Sequence, residues 1–446
     1  MVQKTVIFTE LFLIVFLVTC CKPEINKASP DEVKRTKPDL VIYDPTGGLP
    51  REWTDPNFFW LNEQTLVLKT GNDDLLATWT SERLDPHLHR ITCSRSEDQG
   101  RTWSEPLYID GEGVGAGGTA AWQVPVLSPS GRIYLFYNYS PKSGAGSFCG
   151  GFRCRTSDDG GTIWSAPADL NFPRSPIDNP DTERSSKWIS VSLPTFTKSG
   201  RALLGFTRWA DNPDVPCGAS GIKERYSHIE FMRFENLSKI PDAANVELTW
   251  LNLDNPITVP HENCPSASFA QEPYLVYLPD GRIFMTMRTN QGQAWYAVSA
   301  DEGETWSLPQ PMRYKDGGAL MLHPVTPCPV FALDSGEYMF LFNNNDGYVF
   351  GAESRWDGHN RRPAFVSRGE YRSEAEQPIW WSSPRLLIDN DAIPWGPDGM
   401  GRLEAAAYPS MTHGSKGNIL WYPDRKGFLV GKYITDEIFH GMKVPE

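Results

Sequence analysis

Ser266 to Trp306 reads SASFAQEPYLVYLPDGRIFMTMRTNQGQAWYAVSADEGETW, and the way this stretch is punctuated decides the fold. An apolar run carrying Glu272 (AQEPYLVYL) leads into the turn Pro279-Asp280-Gly281. A second run, Arg282 to Arg288, ends on an arginine. A third run ends in the box Ser299-Ala300-Asp301-Glu302-Gly303-Glu304-Thr305-Trp306. Short apolar runs bounded by Gly, Pro and Asp are the mark of strands joined by tight turns. The stretch predicts one antiparallel blade of a β-propeller. Glu272 and Arg288, on adjacent strands around a tight turn, fall on one rim of that blade.

The same box occurs twice more, as Ser96 to Trp103 (SEDQGRTW) and Ser157 to Trp164 (SDDGGTIW), each time after an apolar strand. The shared pattern S-x-D-x-G-x-x-W has a hairpin's logic. The Asp carboxylate accepts bonds from turn N–H groups, the Gly takes a positive φ, and the Trp folds back as an apolar cover. A looser repeat sets the blade count. A turn glycine opens an apolar strand at Gly71, Gly131, Gly200, Gly281, Gly336 and Gly417. Six units over this length predict an all-β fold, a six-bladed propeller spanning residues 40–446, with Val41-Ile42-Tyr43 closing the ring against the C-terminal strands. No stretch in the middle reads as a linker between two separate sandwiches.

The chain has 446 residues and a formal charge of -13, which argues against nucleic acid and anionic membrane surfaces as partners. Residues 1–21 read as a targeting segment: Lys4, an apolar core from Val6 to Val18, and a lipobox-like end at Cys20 or Cys21. The expectation is a protein exported to a bacterial periplasm or cell surface and lipid-anchored through one of those cysteines, with residues 22–39 as a polar tether. Six of the eight cysteines lie beyond this leader. Cys149 and Cys154 are the nearest pair for a disulfide. Their spacing is not a zinc signature, and the plain reading is buried thiols with room for one bridge.

The boxes are Asp-box repeats, and the chain resembles the sialidase superfamily over nearly all of residues 40–446. That resemblance implies the six-bladed fold and a site built on particular positions. Glu272 occupies the place of the glutamate that acts on a catalytic tyrosine, and Arg288 that of an arginine holding the substrate carboxylate. Tyr408, in Ala407-Tyr408-Pro409-Ser410-Met411-Thr412, matches the tyrosine, and Asp85 the acid/base. Arg361 or Arg362 matches a further arginine. Taken singly each has a plainer reading: a salt bridge, a core tyrosine, a turn aspartate.

Together these types make chemical sense. A guanidinium grips a carboxylate through two parallel bonds. A neutral phenol approaches an anomeric carbon beside that carboxylate without repulsion, provided a base such as Glu272 takes its proton. One departure matters. The family's first arginine opens the first blade, whereas this chain has Trp53 to Trp60 and then Glu63 to Thr70 there, with Arg51 the nearest arginine. A sialic-acid-like or a hexuronic acid terminus of an oligo- or polysaccharide is then the expected substrate. Three activities follow: sialidase-type hydrolysis, β-elimination by a uronate dehydratase or lyase, or glycan binding without turnover. For elimination the polar candidates are Tyr408, His261, His359, His87 and His89. No cofactor and no catalytic metal is expected. Trp79, Trp122, Trp188, Trp209 and Trp295 are candidates for stacking on sugar rings, with blade packing the commoner role.

Overall fold

The computed structural model describes residues 34–48, 60–70, 74–84, 87–142, 150–217, 226–349, 355, 358–396, 401–414 and 417–446. The targeting segment with Cys20 and Cys21, Arg51, Gly71, Asp85 and Cys149 lie outside them. Six antiparallel sheets follow one another along the chain as the blades of a propeller. Blade 1 runs Trp60–Lys69, Leu75–Leu84, His87–Ser96 and Leu107–Gly111. Blade 2 runs Thr119–Leu127, Ile133–Ser140, Gly151–Ser157 and Ala168–Leu170. Blade 3 has a broken inner strand, Lys187–Ile189 and Thr195–Phe196, on Ala202–Trp209, then Ser227–Phe234 and Leu248–Leu251.

Blade 4 is Gln271–Tyr277, Ile283–Arg288, Trp295–Ser299 and Gln310–Pro311. Blade 5 is Val330–Ala332, Tyr338–Phe342 and Ala364–Tyr371, whose outer side takes both Ile379–Trp381 and Arg385–Ile388. Blade 6 is Ser410–Gly414, Gly417–Asp424 and Phe428–Ile434, completed by Leu40–Tyr43 from the other end of the chain. Leu40 pairs with Gly431 and Val41 with Val430, so the ring closes as the sequence predicts. In every blade it is the second strand that follows the turn glycine of the looser repeat. Those described adopt positive φ, from 80° at Gly200 to 94° at Gly417.

Both faces of most strands are covered, because the core is divided among the gaps between blades. Leu40, Trp421, Val67 and Trp79 fill the gap between blades 6 and 1; Leu76, Ile91, Ile133 and Leu135 that between 1 and 2. The Asp-boxes serve these gaps. In the first box Ser96 Oγ accepts from Gly100 N–H at 2.8 Å, and Asp98 accepts from Thr102 N–H at 2.9 Å and from its hydroxyl at 2.6 Å. These bonds to Thr102 hold the Asp98 carboxyl down at about 2. The Trp103 indole N–H returns to Gly100 O at 3.0 Å, and its ring meets Trp421 of blade 6 edge-on at 5.5 Å. Trp306 likewise stacks on Phe231 of blade 3 at 4.8 Å. Each box therefore locks its blade onto the preceding one.

The box glycine is needed twice over. Gly100, Gly161 and Gly303 have φ near 90°, and a Cβ on each would lie 2.4–2.7 Å from Trp421, Leu76 or Leu203 of the preceding blade. Neighbouring Gly160 has φ 70° and open space around it.

The disulfide differs from the nearest-pair expectation. Cys154 is a buried free thiol, as are Cys93 and Cys328, because its alternate position on Gly151–Ser157 faces the gap between blades 2 and 3. The bridge instead joins Cys217 to Cys264, 47 residues apart, tying the connection after Ala202–Trp209 to the small hairpin Pro260–His261 and Cys264–Ser268. Among the described residues no helix is long and apolar enough to cross a membrane.

Comparing Gly160→Ala with Gly161→Ala in urea separates the glycine's two roles. Gly160→Ala should cost about 1 kcal/mol, from its left-handed backbone alone. Gly161→Ala should cost about 2–4 kcal/mol, since overpacking against Leu76 is added. Equal costs would remove the interblade contact as the reason for that glycine.

Candidate active site

The inner strands carry the site at bulges. The pairing register slips between Glu63 and Leu66, between Ala121 and Val124, and between Gln271 and Tyr274. Within those slips Gln64, Trp122 and Glu272 have φ of 58°, 56° and 53°, and Tyr408, just before its strand, has φ 58°. Four bulky residues in the left-handed region cost of order 1–2 kcal/mol each. The bent backbone is held from the preceding blade: Trp122 N–H donates to Thr80 Oγ1 at 2.8 Å, and Glu272 N–H to Thr207 Oγ1 at 2.7 Å. A bulge re-aims its side chain, here out of the sheet.

Glu272, Arg288 and Tyr408 meet. Gln271 pairs with Arg288 across the hairpin of blade 4, so the arginine stands beside the bulge. Its Nη1 lies 2.5 Å from Glu272 Oε1, and the Tyr408 hydroxyl donates to the same oxygen at 3.2 Å. The three side chains belong to residues 1 %, 2 % and 5 % exposed. Glu272 Oε2 is buried without a hydrogen-bond partner among the described residues, as is the Trp122 indole N–H. The Trp122 ring stands edge-on to Tyr408 at 5.4 Å.

Electrostatics keep the phenol protonated at rest. Burial raises the Tyr408 pKa well above its ordinary value and the Glu272 charge raises it further, with Arg288 pulling the other way. Arg361, at the end of the short 3-10 helix Gly358–Arg361, is buried, and its Nη1 lies 3.7 Å from Glu404 Oε1. Burial and then the nearby Arg288 lower its pKa, so the two guanidiniums feel one another. Glu404 is the counter-charge. Burial alone raises its pKa, yet Lys426, Arg361 and Arg402 hold it below the usual carboxylate value.

The remaining expected residues stand elsewhere. The Arg362 guanidinium is taken by Asp389 at 2.8 Å and by the Asn390 carbonyl at 3.1 Å, so Arg361 and not its neighbour faces the cluster. His261 is buried in the small hairpin Pro260–His261 and Cys264–Ser268. Its Nδ1 accepts from Asn263 N–H and its ring lies near Phe269. His359 is exposed on the 3-10 helix. His89 is buried, with Nε2 2.9 Å from Glu82 Oε1. Trp79 and Trp188 are core residues of blade gaps, whereas Trp122 and Trp209 share the buried cluster that includes Tyr408.

Sequence reasoning missed Glu63, Glu404 and Lys426. Lys426 Nζ lies 2.9 Å from Glu63 Oε1 and 5.4 Å from the Tyr408 ring centroid. The one signal was the turn Asp424-Arg425-Lys426-Gly427, where two basic residues stand in place of the usual Asn-Gly. Among the described residues no three His, Cys, Asp or Glu side chains converge as a metal-binding group.

The chain is a sialidase-like six-bladed propeller. It superposes on the NanB sialidase of Streptococcus pneumoniae with a TM-score of 0.55 at 14% identity, over 91% of this chain and 71% of that one. The intramolecular trans-sialidase of Ruminococcus gnavus gives 0.54 at 12% identity, over 89% and 98%. A protein of unknown function from Dyadobacter fermentans gives 0.56 at 14%, over 89% and 96%. No protein-family model matches the sequence, and no curated protein matches it. Identities this low establish the fold; the chemistry rests on the side chains above.

His323 offers a test of the packing beneath the arginines. Its Nε2–H donates to the Thr326 and Pro327 carbonyls at 3.0 and 3.2 Å, and Nδ1 accepts from Asn343 N–H. Burial first, and then Arg288 and Arg361, push its pKa down to about 4. The unfolded chain takes up this proton near 6.5 and the folded one only near 4, so stability falls as pH drops through that window. The slope is up to about 1.4 kcal/mol per pH unit. Urea unfolding of wild type and His323→Gln at pH 7 and 5 should show the slope reduced in the variant. Parallel pH profiles would place the histidine in solvent.

Proposed function

We propose that this chain is an exported carbohydrate-active enzyme that works on a terminal acidic sugar of an oligo- or polysaccharide. The observation that carries the reading is the single carboxylate oxygen of Glu272 shared by the Tyr408 hydroxyl and Arg288. A phenol already bonded to its base is a nucleophile in waiting. In the hydrolytic reading the Tyr408 oxygen attacks the anomeric carbon as its proton passes to Glu272. The aglycone oxygen leaves with a proton from an acid, the role proposed for Asp85. Water then releases the sugar from the tyrosine. Arg288 and Arg361 hold the substrate carboxylate, and the neutral phenol spares it a charge clash.

A specific observation keeps a second reading beside the first. The inner strand of blade 1, WLNEQTLVLK over Trp60–Lys69, carries no arginine, so the carboxylate clamp has two described guanidiniums. A hexuronate suits that clamp. On a terminal or internal uronate the Tyr408–Glu272 pair would take the C5 proton, the arginines would steady the charge developing on the carboxylate, and the C4 oxygen would leave. Export through residues 1–21 and lipid attachment at Cys20 or Cys21 complete the proposal and place the site where extracellular glycans are met.

Product analysis on sialylated and uronate-ended oligosaccharides separates the readings. Hydrolysis adds water and frees a monosaccharide; elimination yields an unsaturated uronate that absorbs in the ultraviolet. Binding without a product leaves a lectin. Arg288→Lys should retain the fold and lower turnover by roughly 10²-fold or more, and Tyr408→Phe should abolish it. Full activity in Tyr408→Phe would sink both chemistries.

A further inference from the structure

The turn that joins the second and third strands of blade 6 is unusual in its residues. Arg425 and Lys426 adopt φ of 54° and 47°, a pair of left-handed conformations for which Asn-Gly is the common choice. The turn is nevertheless held firmly. Asn62 N–H donates to the Lys426 carbonyl at 2.7 Å, Asn62 Nδ2 to the Gly427 carbonyl at 2.8 Å, and Arg425 N–H to the Glu404 carbonyl at 2.8 Å. Arg425 has an evident structural use, since its guanidinium bonds Asp424 and Asp391.

Lys426 is different. It is 7 % exposed, its amine is bonded directly to the buried carboxylate of Glu63 on the inner strand of blade 1, and its charge also reaches buried Glu404. Replacing a buried ion pair with apolar groups is commonly neutral or stabilising, so the pair is poorly explained as a stability device. Its position is the informative part. The amine stands 5.4 Å from the ring of Tyr408, beside the segment of blade 1 that carries no arginine.

We infer that the Lys426–Glu63 pair is a hydroxyl-binding subsite, which makes the site selective for a terminal hexuronic acid. This rests on the acidic-sugar reading above. Arg288 and Arg361 remain the carboxylate clamp. Lys426 is not a third cation for it, because an arriving carboxylate would also meet Glu63. An ammonium and a carboxylate side by side are instead a donor and an acceptor, and the vicinal hydroxyls of a pyranose satisfy both at once. With the amine 5.4 Å from the Tyr408 ring centroid, a sugar held at the phenol lies within reach of the pair. Next to Tyr408, Glu272 Oε2 and the Trp122 N–H are buried without a hydrogen-bond partner among the described residues, and a bound sugar would satisfy them. A nine-carbon acid whose carboxylate sits on its anomeric carbon offers a different arrangement of hydroxyls to this pair.

The test is binding of free glucuronate, galacturonate and N-acetylneuraminate to the full chain, followed by calorimetry or ligand-observed NMR. Three variants are compared: Lys426→Arg, Lys426→Met, and the double Glu63→Leu/Lys426→Met, which leaves no lone buried charge should the single change unfold the protein. Thermal unfolding confirms that each is folded. Wild type should prefer one of the two hexuronates to N-acetylneuraminate by about 10-fold or more. The double variant should lose about 10-fold or more in affinity for that hexuronate. Its residual binding should still be lost on Arg288→Lys. Hexuronate binding unchanged in the folded double variant would overturn the subsite while leaving the acidic-sugar reading in place. A preference of wild type for N-acetylneuraminate would likewise overturn the subsite alone. Failure of all three acids to bind wild type would overturn the acidic-sugar reading, and the subsite with it.

Discussion

No blade of this propeller covers its own faces, and everything else in the structure answers to that. A four-stranded sheet buries its apolar rows only against another sheet, and here the neighbour on each side is another blade. Much of the core is consequently partitioned into gaps closed by residues of adjacent blades, while the cluster that includes Tyr408 gathers residues from blades 2 to 6. The Asp-box looks like a local turn motif but acts at the gap. Its serine and aspartate fold the turn, its tryptophan reaches the preceding blade, and its glycine has no side chain because that blade already occupies the space.

The same arrangement puts function at the axis. Inner strands converge there, and a bulge in an inner strand turns a side chain toward the other blades' contributions. Glu272 and Tyr408 come from blades 4 and 6, Trp122 from blade 2, Arg361 from the connection within blade 5. The strained backbones of Trp122 and Glu272 persist because threonines of the preceding blades accept their N–H groups. The buried charges are arranged in opposition. Arg288 faces Glu272, Arg361 lies near Glu404 and Lys426 faces Glu63, so a deeply buried cluster of ions needs no net charge.

The fold was legible because its signals are local. Six glycine-led strands and three boxes each declare themselves within a dozen residues, and the closing strand at Val41 to Tyr43 stands out as the first apolar run after the polar segment. Glu272 and Arg288 share a hairpin and were readable together. Tyr408 lies 136 residues beyond Glu272, and only its motif connects the two. Lys426 and Glu63 are 363 residues apart and meet only because the last blade abuts the first. No periodicity or spacing encodes such a meeting. The bridge between Cys217 and Cys264 escaped for the same reason, since nearness along the chain is a poor guide where a connection within blade 3 meets the hairpin that leads to blade 4.

The strand Leu40–Tyr43 has a consequence for how the molecule comes into being. It is among the first described segments to leave the ribosome and the last able to dock, because its partner, Phe428–Ile434, is made almost 400 residues later. Until the two ends find one another, that partner's free N–H and C=O groups form an open edge able to recruit strands from other chains. Closing so long a loop is slow. Docking of Leu40–Tyr43 is therefore what seals that edge.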